Sequence, residues 1–462
     1  MAGSQTSSVT RIKRLTLLSA AALALISAAC QPGNPPPAAV PVMPAKASPS
    51  PAVTAEVLEP TSAPTVTSEA PPATETLAPL VFATGGSNYT LPPTVQFVDA
   101  HSAVVVFEVD TVEGMGLLVW EPDTDPRSGR WLPVPVGGGV HAVEIPDLKP
   151  ATEYRAAVLS KPPESTAEVP AFMGEAWDPI HIQTLPETGL PVRIVVMGDS
   201  GFGQAVTQTM AQAMADQQPD IFIHTGDLVY NAHQEGSPAG AYQFKWFQTL
   251  APLLRTAAVL PVVGNHEMYD DALWEGRSYY FHAFPVFDQY LDEGGGQPEA
   301  GRRDYYRVAL GDLQLLFLNT QELFGGQRRR EQDDWLEARL GDESFSASIV
   351  VFHVPPYTSG RHKLDGTAVI RSWVPLFETY GVPLVLSGHD HNYEHLFQNG
   401  VNYVVSGGGS SVLYEQGIPL PISMQFSQRS HYLVIDLLPG LLRLTAYASD
   451  GAQLDTFEVT LN

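Results

Sequence analysis

Side chains of the kinds that hold metal ions stand at the ends of five short apolar runs. Ile194–Met197 leads into Gly198-Asp199-Ser200-Gly201, and Ile221–Ile223 leads into Gly226-Asp227-Leu228-Val229-Tyr230. Val259–Val263 is followed by Gly264-Asn265-His266-Glu267, and Ile349–Phe352 by His353-Val354-Pro355-Pro356-Tyr357. The last run, Val382–Leu386, precedes Gly388-His389-Asp390-His391-Asn392-Tyr393-Glu394. Each run has the length and composition of a buried strand. A His-x-His pair just past a strand either presents both imidazoles on one side or, through a tight turn, aims each at a different ion. Aspartate, asparagine, histidine and tyrosine together suit a pair of hard-to-borderline cations. Two such ions held close together can clamp a phosphate, lower the pKa of a bound water and stabilise both attacking and leaving oxygens.

The elements around these runs alternate. Apolar residues recur at helical spacing over Gln204–Gln217, Tyr242–Arg255, Arg329–Leu340 and Ala368–Tyr380. Strand patterns return in Tyr403–Val405, Tyr432–Leu437, Leu441–Ala448 and Thr456–Leu461. Alternation ending in strands predicts an α/β fold over 188–462, a two-sheet sandwich with flanking helices. Ahead of it, residues 81–187 read as all-β, with strand runs and turn clusters at short intervals.

The first 30 residues read as a signal peptide. Arg11, Lys13 and Arg14 precede the apolar stretch Leu15–Ala29, too short to cross a membrane comfortably, and Ile26-Ser27-Ala28-Ala29 leads into Cys30. Cys30 is the sole cysteine, so an intramolecular disulfide is excluded. Its position after small residues resembles a lipoprotein signal and predicts an extracytoplasmic protein, anchored to a bacterial cell membrane through a lipid on Cys30 or secreted. Residues 31–80 are rich in Pro, Ala, Thr and Ser, and predict a disordered linker. Acidic residues outnumber basic ones 50 to 25, giving a net charge of −25. A nucleic-acid partner is therefore not expected.

The ordered set GDSG, GDLVY, GNHE, HVPPY and GHDHNYE resembles the calcineurin-like metallophosphoesterases, and the purple acid phosphatase branch in particular, from about Arg193 to Asn462. The superfamily's usual opening, Asp-x-His, is absent, because Gly201 stands where the histidine would be. Tyr230, three residues after Asp227, matches that branch's tyrosine ligand instead. The resemblance implies a first metal on Asp199, Asp227, Tyr230 and His391. It implies a second on Asp227, Asn265, His353 and His389, with Asp227 bridging. A phenolate favours Fe(III), and the partner would be a divalent ion, Zn, Mn or Fe. His266 would contact phosphate, and His362 would be the general acid. Glu267 and Glu394 would support the ligands, although His395 replaces the arginine that commonly follows this glutamate.

The implied activity is that of an acid phosphatase: attack of a metal-bound hydroxide on small phosphate monoesters. One alternative is a phosphodiesterase acting on cyclic nucleotides or similar esters with the same fold. Another is a surface-tethered binding protein with a vestigial metal site. The stretch His141–Arg155 resembles fibronectin type III domains at Leu148, Pro150, Thr152 and Tyr154, with Tyr154 expected in the core. Of the other histidines, His224 reads as a satisfied core residue. His233, His282 and His431 read as loop or packing residues, with His282 also a candidate for the pocket wall. Gly407–Gly409 would let backbone pass close to the metals.

Overall fold

The structure, a computed structural model, describes residues 89–111, 113–160, 179–187, 191–232, 236–269, 278–285, 305–324 and 327–461. The signal peptide, Cys30, the 31–80 linker and His233 lie outside the described residues. Among the described residues no helix is long and apolar enough to cross a membrane.

Seven strands come first: β1 (Leu91–Val98), β2 (Ala103–Glu108), β3 (Gly116–Trp120), β4 (Arg130–Pro133), β5 (Val140–Ile145), β6 (Glu153–Leu159) and β7 (Ile180–Gln183). They form two antiparallel sheets, ordered β1-β2-β5 and β4-β3-β6-β7. Tyr154 is buried in β6, and its hydroxyl accepts the Lys149 N–H at 2.9 Å. The expectation of a core tyrosine with its oxygen satisfied by backbone holds.

Two larger sheets follow. The first contains β8 (Val192–Met197), β9 (Ile221–His224) and β10 (Ala258–Pro261), paired in parallel. The second begins with β11 (Tyr306–Leu310), β12 (Leu313–Phe317), β13 (Ala347–Val351) and β14 (Leu384–Ser387). It is completed by β15 (Tyr393–Gln398), β16 (Val401–Ser406) and β17 (Ser423–Ser427). The last three strands, β18 (His431–Leu438), β19 (Leu441–Ala448) and β20 (Gln453–Thr460), return to the first sheet. The orders are β10-β9-β8-β18-β19-β20 and β11-β12-β13-β14-β16-β15-β17.

Side-chain alternation shows how the second sheet is buried. Leu315, Phe317, Ile349 and Val351 join the core shared with the first sheet. Their neighbours Leu316, Val350 and Phe352 face a separate cluster with Trp335, Leu336, Trp373 and Phe377 from the helices. Period-two alternation with both faces apolar is what a sheet covered on both sides requires.

The helical expectations hold with two refinements. Over Tyr242–Arg255 the residues Gln243–Gln248 wind as a π-helix before the α-helix Thr249–Leu254. Ala368–Tyr380 forms two helices, Thr367–Ser372 and Val374–Thr379. The break falls ahead of Pro375, which cannot donate a hydrogen bond and is accommodated in a first turn.

Candidate metal centre

The five turns that carry the candidate ligands follow the carboxyl ends of β8, β9, β10, β13 and β14. Loops beyond the carboxyl ends of parallel strands are where open α/β sheets bind ligands. The backbone there is unusual. Asp199, Asp227 and His389 have φ of 58°, 57° and 67°. Left-handed backbone costs a non-glycine residue free energy, and such residues gather at functional sites. Neighbouring glycines make room: a Cβ on Gly388 would lie 2.5 Å from Asp199 Oδ2, and one on Gly407 would lie 2.8 Å from it. The close backbone approach expected of the 407–409 run is present.

The seven side chains converge in two groups. In the first, Tyr230 Oη lies 3.1 Å from Asp199 Oδ1 and 3.0 Å from His391 Nε2. His391 Nε2 and Asp199 Oδ1 are 3.5 Å apart. In the second, His353 Nε2 lies 3.3 Å from Asp227 Oδ1, 3.0 Å from Asn265 Oδ1 and 3.2 Å from His389 Nδ1.

The outer edges of the imidazoles fix which nitrogens face inward. His353 Nδ1 is 2.8 Å from the Thr225 carbonyl, and His391 Nδ1 is 2.8 Å from the Val412 carbonyl. His389 Nε2 is 3.0 Å from an Asp365 carboxylate oxygen. Those acceptors demand N–H on the outer nitrogens, so in the neutral rings each inner nitrogen presents a lone pair. Lone pairs of His353, His389, Asn265 and Asp227 therefore point at one another about 3 Å apart, a repulsive arrangement unless positive charge lies between them. Ligand atoms about 2.0–2.2 Å from one ion sit about 3 Å apart at neighbouring corners, so the donor set fits a cation. Without an ion, a proton on His353 supplies that charge. Burial pulls the His353 imidazole down, but Asp227 beside it outweighs burial and raises it to about 9. Burial pushes the Asp227 carboxyl up, but His353 and His266 outweigh it and hold the carboxyl well below its ordinary range.

Around the donors lies a layer of positioning contacts. Glu267 accepts the N–H groups of Asp227 at 2.9 Å, Leu228 at 2.7 Å and Gly264 at 2.8 Å, locking two ligand turns together. Glu394 acts elsewhere: it accepts the Ser359 N–H and the Ser423 hydroxyl, both at 2.6 Å. It thus anchors the loop that carries His362. His395 Nδ1 lies 3.3 Å from an Asp455 carboxylate oxygen.

His266 stands beside the donors. Its backbone N–H donates to Asp227 Oδ1 at 3.0 Å, and its ring packs against Tyr230 at 4.3 Å. His362 lies against the second group, its ring 4.4 Å from that of His389. Its Nδ1 is 2.9 Å from the Asp365 oxygen that also meets His389.

Sequence reasoning missed three contributors. Asp365 joins His362 to His389, and its only sequence signal is its place three residues after His362. Burial favours its neutral form, but the hydrogen bonds from both histidines outweigh burial and hold the carboxyl far below its usual range. Asp390, between the two histidines of the motif, accepts Thr358 Oγ1 at 2.6 Å and Arg361 N–H at 3.0 Å. Tyr414 stacks on His391 at 4.3 Å with planes 8° apart, and nothing in its sequence setting singles it out.

One histidine expectation needs correction, and His282 packs as expected. His224 is buried with Nε2 2.9 Å from Ser200 Oγ, but its Nδ1 has no partner among the described residues. Burial pushes it down to about 3, so the ring stays neutral, wedged edge-on against Phe222 and Trp246. His282 pairs with Glu108 of β2 at 3.0 Å, which places it where the N-terminal strands meet the larger domain. His431 is a packing residue as expected, buried and bonded to the Arg429 carbonyl at 2.9 Å.

With this geometry in hand, similarity to known proteins takes on meaning. Residues 192–393 match the family model described as calcineurin-like phosphoesterase. Purple acid phosphatase 15 of Arabidopsis thaliana is 24% identical over 313 residues, 59% of this chain and 54% of that protein. A Synechococcus protein described as a probable cyclic nucleotide phosphodiesterase is 27% identical over 185 residues, 38% of this chain and 60% of its own length. A purple acid phosphatase from yellow lupin seeds superimposes with a TM-score of 0.60 at 18% identity, covering 80% of this chain and 74% of its own. That likeness shows a shared fold. The chain spans about half the length of the first plant relatives it matches.

Proposed function

We propose that this protein hydrolyses phosphate monoesters at a dinuclear metal centre, in the manner of a purple acid phosphatase. The observation that carries the reading is the double convergence of inward lone pairs, three donors around Tyr230 and four around His353. Asp199, Tyr230 and His391 would hold an Fe(III), which the phenolate favours. Asn265, His353 and His389 would hold a divalent ion, Zn, Mn or Fe, with Asp227 shared between the two. Such a metal pair, when bound, neutralises phosphoryl oxygens and acidifies water.

The chain's own residues would do the rest. His266, packed on Tyr230, donates to the phosphate as negative charge builds. His362, with Nδ1–H held by Asp365, keeps Nε2 for the leaving oxygen. Glu267 keeps the Asp227 and Asn265 turns in register.

Further proposals concern context. The β1–β7 sandwich is fibronectin type III-like, supported by its two sheet orders and the Tyr154 hydrogen bond. The protein acts outside the cytoplasm on small phosphorylated compounds, held by a lipid on Cys30 or secreted.

The test compares turnover of an aryl phosphate monoester and the matching diester by metal-loaded protein. A strong monoester preference is expected. Diester preference would move the protein to the second reading, favoured by the Synechococcus relative, with the metal assignments intact. Turnover of neither, with both metals bound, would favour the binding-protein alternative.

A further inference from the structure

His395 stands where the sequence resemblance leads one to expect arginine. It lies in β15 of the second sheet and faces β20, the last strand of the first. Its ring is buried and stacks on Phe457 of β20, with centroids 3.7 Å apart and planes 12° apart. Nδ1 lies 3.3 Å from Asp455 Oδ2, and Nε2 lies 3.2 Å from Asn402 Oδ1.

Both partners are acceptors, and each is fixed in that role. Asn402 donates its side-chain N–H to the Pro383 carbonyl at 3.1 Å, so its oxygen faces the ring. Asp455 accepts at both oxygens: Oδ2 also takes the Tyr393 hydroxyl at 2.7 Å, and Oδ1 takes the Thr456 N–H at 2.8 Å. Burial favours the neutral form of Asp455, but the hydrogen bonds from His395 and Tyr393 outweigh it and hold the carboxyl below its ordinary range. A neutral imidazole has one N–H and could serve only one of the two acceptors, leaving lone pairs face to face at the other. Such a buried mismatch is costly, and a doubly protonated ring removes it.

The other neighbours bring no competing charge. Across the ladder, His395 is paired with Val404 of β16 and Gln425 of β17. Glu394 turns to Ser359 and Ser423, and Glu458 of β20 donates no charge here because it turns to Arg443 at 3.0 Å. The titratable groups that face the ring are Asp455 and Tyr393.

We propose that His395 is held as an imidazolium and, with Asp455, forms a proton-dependent latch between the two sheets of the larger domain. Folding completes the latch only with the ring's second proton in place. Its contribution is therefore full in acid and is lost as the pH rises and that proton leaves. An arginine in this place would keep its charge at every working pH, whereas histidine is the side chain that gives up a charge near neutrality.

The test is a double-mutant cycle on the full-length, metal-loaded protein, read by thermal unfolding at pH 5.5 and pH 8.5. His395→Gln, Asp455→Asn and their combination isolate the pairwise part, so other pH dependences of the protein cancel. At pH 5.5 each single variant should lower the melting temperature by about 2–4 °C, and the double variant by less than the sum. At pH 8.5 that non-additivity should shrink at least about threefold. His395→Arg should melt with the wild type at pH 5.5 and above it at pH 8.5. Additive losses at pH 5.5, or the same coupling at both pH values, overturn the proposal. Should the substitutions prevent folding, nitrogen-15 NMR of the unsubstituted, zinc-loaded protein reads the ring directly. At pH 5.5 both His395 nitrogens should carry protons, while His431, which burial pushes down to about 4, stays neutral in the same spectrum. A lone-pair nitrogen on His395 at that pH sinks the latch.

Discussion

The two large sheets contribute opposite halves of the candidate centre. The sheet with β8, β9 and β10 delivers all four oxygen donors, Asp199, Asp227, Tyr230 and Asn265. The sheet with β13 and β14 delivers all three nitrogen donors, His353, His389 and His391. Neither sheet can complete either group, since each pairs oxygens from one with imidazoles from the other. The oxygen side is also the more strained: two of its four donors, Asp199 and Asp227, occupy left-handed backbone, against His389 alone on the nitrogen side. Metal binding should therefore act as a clasp between sheets, adding stability that belongs to neither alone.

The largest effect expected on this comparison comes from Asp227→Asn. It removes a charge that His353 and His266 both face, and turnover should fall by at least about 10³-fold, with metal analysis showing loss of bound ion. Retention of both metals at full occupancy would break the two-group assignment. Next, Tyr230→Phe changes the oxygen side alone. Turnover should fall roughly 10- to 100-fold while the second ion stays bound, and if the first ion is the proposed Fe(III), its phenolate absorption band should vanish. Asp365→Asn tests the nitrogen side. It weakens the contact that fixes the His389 tautomer, so the affinity of the second ion should drop roughly 10-fold with the first unaffected.

A further effect lies outside the donors, in stability and not in turnover. Burial pushes His431 down to about 4 in the folded chain, against 6.5 when exposed. The unfolded state then binds more protons between those values. The stability contribution is present above pH 6.5 and is lost as pH falls towards 4, by about 1.4 kcal/mol per pKa unit. Urea unfolding at pH 7 and pH 5 should show this slope, and His431→Leu should flatten it.

How much of this was legible before the fold was known differs by kind. The ligand turns announced themselves, because a strand ending in glycine and a polar donor is a local pattern. The helix over Gln204–Gln217 was visible for the same reason and forms over Ala205–Ala215. Positioning contacts were legible only in part: Glu267 was expected to support the ligands and does. Glu394 was expected near the metals, yet it serves Ser359, 35 residues away in the chain. Asp365 gains its role only because the loop folds back onto His389, a contact between residues 24 apart. The left-handed backbone at Asp199, Asp227 and His389 also had no signal, since aspartate and histidine tolerate that region without requiring it.

One feature of the fold reaches beyond the chemistry. Apolar residues of the N-terminal strands, among them Val95, Val105 and Phe107, lie in the same continuous core as Val195, Phe222 and Leu260 of the larger domain. Gln96 of β1 also donates to the Ala283 carbonyl at 2.6 Å. The sandwich is therefore not a detachable module in the thermodynamic sense. The two should melt together in one cooperative transition, and a version trimmed to begin at β8 would uncover core rather than surface.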